Sequence, residues 1–251
     1  MTTELTVTVV VAVAAAAFMI GLAKGGLAGL GPMITVIVAL AVPSTVAIGI
    51  LLPLLMVGDM AALWVLRPHI QWLVVKPVVG GSVLGVGLAS FTLASLSPEG
   101  LEIGIAAVVL VFTVYRVMVL VGRGPSVVAQ SILATDRAGG TAGFVAGITS
   151  TVAHAGGPPV AIHLLAREVK PVAYAGTSAA IFWAINWLKV PGYALAGLFD
   201  VPLLAKLAPT AVLILPGVLI GRWAVRRLSP RPFEIFVLIG MVAGAILLLV
   251  R

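Results

Sequence analysis

The sequence predicts an all-α polytopic membrane protein made of two inverted repeats. Each repeat holds a broken or re-entrant helix at a Gly-Pro motif plus about three spanning helices. Three observations lead there. Hydrophobic residues make up 61% of the 251 positions and charged residues only 9%, with a mean hydropathy of +1.24, whereas a soluble domain carries about a quarter charged residues. Apolar runs of about 20 residues, the length that crosses a bilayer, recur from end to end. The order of elements also repeats, at an offset of about 126 to 128 residues.

Leu5–Leu22 is apolar and ends at the glycine-rich break "KGGLAGLGP", Lys24 to Pro32. Met33–Val42 is apolar but only about half a bilayer long at about 1.5 Å per residue. Pro43 and Ser44 make a turn. Thr45–Leu66, Trp72–Leu96 and Ile103–Val121 are long enough to span, and Gly122–Ala138 is the longest loop. In the second half, Gly139–Ala153 leads into a second break, "HAGGPP" from His154 to Pro159, then the short piece Val160–Ala166. Val172–Phe199, Val201–Gly221 and Phe233–Val250 read as spans, with a basic loop at Arg222–Pro232. The division is 1–122 for the first transmembrane repeat, 123–138 for a cytoplasmic linker and 139–251 for the second repeat. "GLGP" at 29–32 aligns with "AGGP" at 155–158, and Asp59 falls opposite Asn186.

Charge sets the orientation. Lys and Arg concentrate in loops on the cytoplasmic side of membrane proteins, which puts Arg67, Arg123, Arg137, Arg167, Lys170 and the stretch from Arg222 to Arg231 inside. Glu99, Glu102 and Asp200 then lie outside. Simple alternation fails between Arg137 and Arg167, because both flanks of that segment want the inside. A re-entrant hairpin that turns at "HAGGPP" removes the conflict, and such backbone is tolerated where it is buried or lines a cavity. Corresponding loops of the two halves then face opposite sides, as in inverted-repeat transporters. Leu5–Val42 reads either as a second hairpin or as a full span plus a half-helix.

The positives are spread over loops rather than gathered in one arm, so the net charge of +7 does not point to nucleic acid. With no cysteine in the chain, disulfides, thiolate metal sites and thiol redox chemistry are excluded. The N-terminus lacks the basic region of a signal peptide. No cofactor motif stands out, and no Walker-type phosphate loop is present. The expected partners are a small anionic substrate and membrane lipid, with room for a homodimer.

Gly and Pro inside the bilayer leave backbone N–H and C=O groups without helical partners. A helix that restarts after a break turns a positive dipole end toward the gap. Lys24 adds a full charge there, and glycine allows close approach of a ligand to the backbone. The breaks therefore suit a small anion near mid-depth. Thr149, Ser150 and Thr151 are hydroxyl donors at the second break and His154 a titratable one. Alternatives stand beside these readings. Lys24 snorkels to the interface if its break is shallow, and the glycines serve close helix packing. Asp59 lies deep in an apolar run, where carboxylates are functional or form a fixed ion pair, here with Lys24. Asn186 reads as its neutral counterpart and Lys189 as a snorkelling lysine. Trp183 and Trp187 fit either an interfacial belt or a path lining.

These stretches resemble the TauE/SafE family. "GLAKGGLAGLGP", "ALAVPSTVAIGILLPLLMVGDMAAL" and "LRPHIQW" carry the resemblance in the first half. "GFVAGITSTVAHAGGPPVAIHLL" and "AYAGTSAAIFWAINWLKVPGYALAGLF" carry it in the second. The resemblance covers nearly the whole chain. It implies a secondary permease, in the inner membrane, for small sulfur-containing or carboxylate anions such as sulfite, sulfonates or sulfoacetate. By it, Lys24, Gly25, Gly26, Gly29, Gly31 and Pro32 belong to the first glycine motif. Gly156, Gly157 and Pro158 belong to the second, and Asp59 and Asn186 to polar points of the long spans. The second break departs from the family pattern in carrying polar residues and His154 where more glycine is expected. The expected mechanism is a secondary carrier in which Asp59, with Asn186, is a proton-coupling or gating group. The rival readings are a passive anion channel and an intramembrane enzyme using Ser150 and His154, which are spaced to share a helix face.

Overall fold

The computed structural model describes residues 6–27, 30–93, 95–122, 127–227 and 230–250. Gly29 and Arg123 lie outside the described residues. Within them the chain is helical, without a strand. Five helical stretches are long and apolar enough to cross a membrane: Val7–Lys24, Ser44–His69, Trp72–Leu93, Pro98–Leu120 and Val201–Ala224.

The first half runs α1 (Val7–Lys24), α2 (Gly31–Ala41), α3 (Ser44–Leu66), α4 (Trp72–Leu93) and α5 (Pro98–Leu120). α1 is capped by the Thr6 hydroxyl, which accepts from the Val9 N–H. It ends where Gly26 takes a φ of 122°, open to glycine and strained for other residues. α2 restarts with Pro32 in its first turn, where the missing N–H costs nothing. α5 begins with Ser97 as cap, Pro98 and Glu99 in its first turn.

The second half runs α6 (Val127–Leu133), α7 (Asp136–Ala153), α8 (Gly157–Ala166), α9 (Pro171–Leu195), α10 (Val201–Leu207), α11 (Ile214–Arg227) and α12 (Pro230–Leu249). Three expectations change. The long loop carries the short helix α6. The span read as Val201–Gly221 is not one α-helix, because residues Ala208–Leu213 form a 3₁₀ turn between α10 and α11. Pro209 supplies no backbone N–H there. The basic loop is also shorter, since α11 continues through Arg227 and α12 starts at Pro230.

Close packing crosses between the halves: α1 lies along α11, α7 along α4, and α3 along α9. The first two pairs are glycine seams. A Cβ at Gly21 or Gly25 would run into the backbone of Gly217, Val218 and Gly221. A Cβ at Gly143 or Gly147 would meet the backbone of α4 from Val78 to Val86. Small residues let membrane helices approach this closely. Two buried apolar clusters result. The larger joins α1, α2, α3 and α5 to the C-terminal helices; the smaller joins α4, α7, α8 and α9. Large apolar side chains face outward elsewhere, Leu195 at 89% and Phe91 at 82% exposure among them, as a lipid-facing surface requires.

Both ends of the α7–α8 unit lie together. Asp136 at the start of α7 pairs with Arg167 just past α8, and His163 of α8 bonds the Leu133 carbonyl at 2.8 Å. At the other end of the bundle Ser44 donates to Glu102 at 3.1 Å.

Candidate functional site

The two breaks meet. Thr35, in the second turn of α2, donates its hydroxyl to the Ala153 carbonyl at the end of α7, 2.7 Å away. A Cβ on Gly31 would sit 3.0 Å from the His154 carbonyl oxygen, so glycine is what allows this contact. Gly31 at the first break thus lies directly against His154 at the second.

His154 ends α7 in the left-handed conformation, with φ of 50°, uncommon for a residue with a side chain. Its N–H bonds Ser150 O, and the Ala155 N–H reaches back to Thr149 O at 3.2 Å, closing the helix as a glycine cap does. Side chains also reach carbonyls of that last turn. Tyr193 donates to Thr151 O at 2.6 Å and Lys189 to Ser150 O at 3.3 Å.

α3 and α9, lying along each other, bring the charged groups together here. Asp59 is fully buried. It lies ten residues along α3 from Gly49, which touches Leu198, and seven from Leu66, which touches Gly176. Those steps correspond to about 15 Å and 10 Å of helix, so the carboxylate sits well inside the bundle. Its Oδ1 pairs with the Lys24 ammonium, and its Oδ2 accepts from the Asn186 amide at 2.7 Å. The alignment that set Asp59 opposite Asn186 is realised as a hydrogen bond. Lys24 therefore does not snorkel; its Nζ is held inward and lies 5.6 Å from the centre of the Phe182 ring.

Lys189 does not snorkel either. It is fully buried, one turn beyond Asn186, and Nζ meets Ser150 Oγ at 3.1 Å and His154 Nδ1 at 2.9 Å. The other imidazole nitrogen, Nε2, lies 3.0 Å from the Ile48 carbonyl. A carbonyl only accepts, so Nε2 carries the hydrogen and Nδ1 turns its lone pair to the ammonium. Ser150 and His154 both face Lys189 rather than each other, which is not the arrangement of a serine–base couple.

The other sequence candidates are scattered around this centre. Gly25 faces α11, Gly26 is exposed beside α1, and Gly156 packs against Ala146, Ser150 and Phe182. Gly157 is exposed at the start of α8, followed by Pro158. Thr149 and Thr151 turn their hydroxyls to carbonyls of their own helix. Trp183 and Trp187 stack edge-on with each other on the outer face of α9, 39% and 52% exposed. Lys189, Phe182 and Tyr193 were missed as site residues. The available signal was spacing: Asn186, Lys189 and Tyr193 follow at i, i+3 and i+7, one face of α9.

Helical stretches of bilayer length around an internal cluster of paired charges define a multi-pass membrane protein. The family model described as Sulfite exporter TauE/SafE matches residues 13–248, and the chain belongs to that family. It is thereby a membrane transporter of the class that moves sulfite or related anions. No curated protein and no solved structure matched the chain.

Proposed function

We propose that the chain is a proton-coupled secondary carrier of small sulfur-containing or carboxylate anions, such as sulfite, sulfonates or sulfoacetate, in the cytoplasmic membrane. The anion binds between the two helix breaks. The observation that carries this reading is the meeting of both breaks beside the pair of Lys24 with the fully buried Asp59 carboxylate.

In the proposed cycle the anion competes with the Asp59 carboxylate for Lys24. The empty site keeps Lys24 neutralised; an arriving anion takes over the ammonium, and Asp59 stays held by Asn186. The first turns of α2 and α8 point their positive ends at the gap. Pro32, Pro158 and Pro159 have no N–H, so the donors left in those turns are the amides of Gly31, Met33 and Gly157. The two halves act as inverted repeats around this site. The cross-packing of α1 on α11 and α7 on α4, and the Asp59–Asn186 bond between corresponding spans, support that reading.

The test is uptake of sulfur-labelled sulfite, a sulfonate and sulfoacetate into proteoliposomes, with and without a pH gradient. Lys24→Ala and Asp59→Asn are run beside the unmodified protein. Flux of one anion that follows the gradient and is lost in Lys24→Ala is expected. Absence of flux for all three anions would refute the reading.

A further inference from the structure

Three ionisable side chains meet between the breaks with formal charge: Lys24, Asp59 and Lys189. Lys24 and Asp59 neutralise each other. Among the described residues the ion pairs are Lys24–Asp59, Arg116–Glu234 and Arg167–Asp136, so Lys189 has no carboxylate of its own. Its hydrogen bonds go to Ser150 O, Ser150 Oγ and His154 Nδ1.

The groups facing Lys189 come from every helix around it. α7 brings Ser150, with His154 as its C-cap. α3 brings Asp59, joined to Asn186 one turn before Lys189, and α1 brings Lys24 beyond it. α9 itself brings Tyr193, whose ring centre is 5.9 Å from Nζ and whose hydroxyl is bonded to Thr151 O. With an ammonium at Lys189 the cluster sums to one positive charge. A lone charge at membrane depth is costly. The negative end of α7 offsets part of it, and full neutrality needs either a bound monoanion or loss of the Lys189 proton.

We propose that Lys189 carries the coupling proton: it is an ammonium when a monoanion occupies the adjacent site and a neutral amine when the site is empty. One proton then crosses with each monoanion, and the cycle moves no net charge. The inference rests on the anion-carrier reading above and replaces Asp59 with Lys189 as the proton carrier. Asp59 is already engaged at both oxygens, Oδ1 by the Lys24 ammonium and Oδ2 by the Asn186 amide, whereas among the described residues Lys189 has no carboxylate partner. A lysine can release its proton where an arginine cannot. On release an N–H bond of Nζ breaks, its electron pair stays on nitrogen, and the proton leaves on a water molecule entering the emptied site, while His154 Nδ1, 2.9 Å away, accepts from an N–H that the amine keeps.

The experiment uses the full chain in proteoliposomes, labelled sulfite at mildly acid pH as the monoanion probe, and an internal pH dye. Sulfite-for-sulfite exchange by the unmodified protein first establishes the carrier reading; its absence overturns that reading and this inference with it. With exchange present, the expected result is about one proton per sulfite and a flux insensitive to an imposed potassium diffusion potential. Lys189→Arg keeps the charge but cannot release it. It should lose gradient-driven net uptake by about tenfold or more relative to its own exchange rate. Net uptake by Lys189→Arg that follows the pH gradient as in the unmodified protein overturns the inference, as does transfer of one net charge per sulfite. Should Lys189→Arg fail to fold, Lys189→Gln takes its place: it should carry sulfite with one net negative charge and respond to the imposed potential, and proton-coupled, potential-insensitive uptake by it overturns the inference.

Discussion

Thr35 and Ala153 join the two helix breaks: a hydroxyl from the second turn of α2 caps a carbonyl from the last turn of α7 at 2.7 Å. Both groups are buried, and no water competes for them at that depth. Thr35→Val keeps the shape and removes the donor, leaving the Ala153 carbonyl without its partner. We expect a loss of about 1–2 kcal/mol, read as a lower melting temperature in detergent. Thr35→Ser should recover most of it.

The seam between α4 and α7 makes a sharper prediction. A Cβ at Gly81 or Gly143 would collide with backbone, that of Gly140 and Val78 respectively, whereas Gly80 and Gly87 on the same helix as Gly81 face open space. Backbone cannot rotate away as a side chain can. Gly81→Ala and Gly143→Ala should each cost about 1–3 kcal/mol through forced separation of the helices. Gly80→Ala and Gly87→Ala should leave thermal stability in detergent unchanged or slightly higher.

Lys24 and Asp59 should show strong coupling. Lys24→Met leaves the Asp59 carboxylate without its ammonium at a fully buried position. Breaking such a pair costs about 3–5 kcal/mol, more than removing both partners. The double variant Lys24→Met/Asp59→Asn should therefore be more stable than Lys24→Met alone while transporting no better. Melting temperatures of the four proteins give the coupling, and anion flux separates fold from function. Equal destabilisation in single and double variants would contradict the pairing.

Arg167 and Asp136 sit at the mouth of the α7–α8 unit, and Asp136 is largely exposed. Neutralising either should change stability by about 0–1 kcal/mol, with little left at high salt. The segment tests topology better. The chain has no cysteine, so single cysteines report cleanly. Asp136→Cys and Lys170→Cys should react with a membrane-impermeant thiol reagent from one side, and Glu99→Cys from the other. Labelling of Asp136→Cys and Lys170→Cys from opposite sides would mean that α7 and α8 cross the membrane together rather than turn within it.

Much of this molecule is written in short-range features. Pro32 and Pro158 cannot continue a helix, and the glycines before them remove the side chains that would stabilise one, so both breaks were readable along the chain. Asp59 stood out because a carboxylate inside an apolar run has few explanations, and the expected alignment of the two halves set it opposite Asn186, to which it is hydrogen-bonded. The helix α6 was missed because its seven residues, Val127–Leu133, are too few to show a helical apolar period. The 3₁₀ turn at Ala208–Leu213 was missed because its apolar composition hides the effect of Pro209. Gly25 carried two meanings, ligand approach or helix packing, and composition cannot separate them. Only the position of Gly221 across from it does.

By itself the sequence determined the membrane class, the two breaks, the lengths of most helices and the family, because hydropathy, proline and glycine act on the residues next to them. The tertiary structure alone decided the partners of the charges. Lys189 lies six residues from the end of α9, and in one dimension it reads as a lysine reaching for the interface. Its ammonium is buried because the last turn of α7, 35 residues earlier in the chain, ends beside it and offers Ser150 and His154. Where a long side chain points depends on which helix end arrives next to it, and helix packing over long sequence separations sets that.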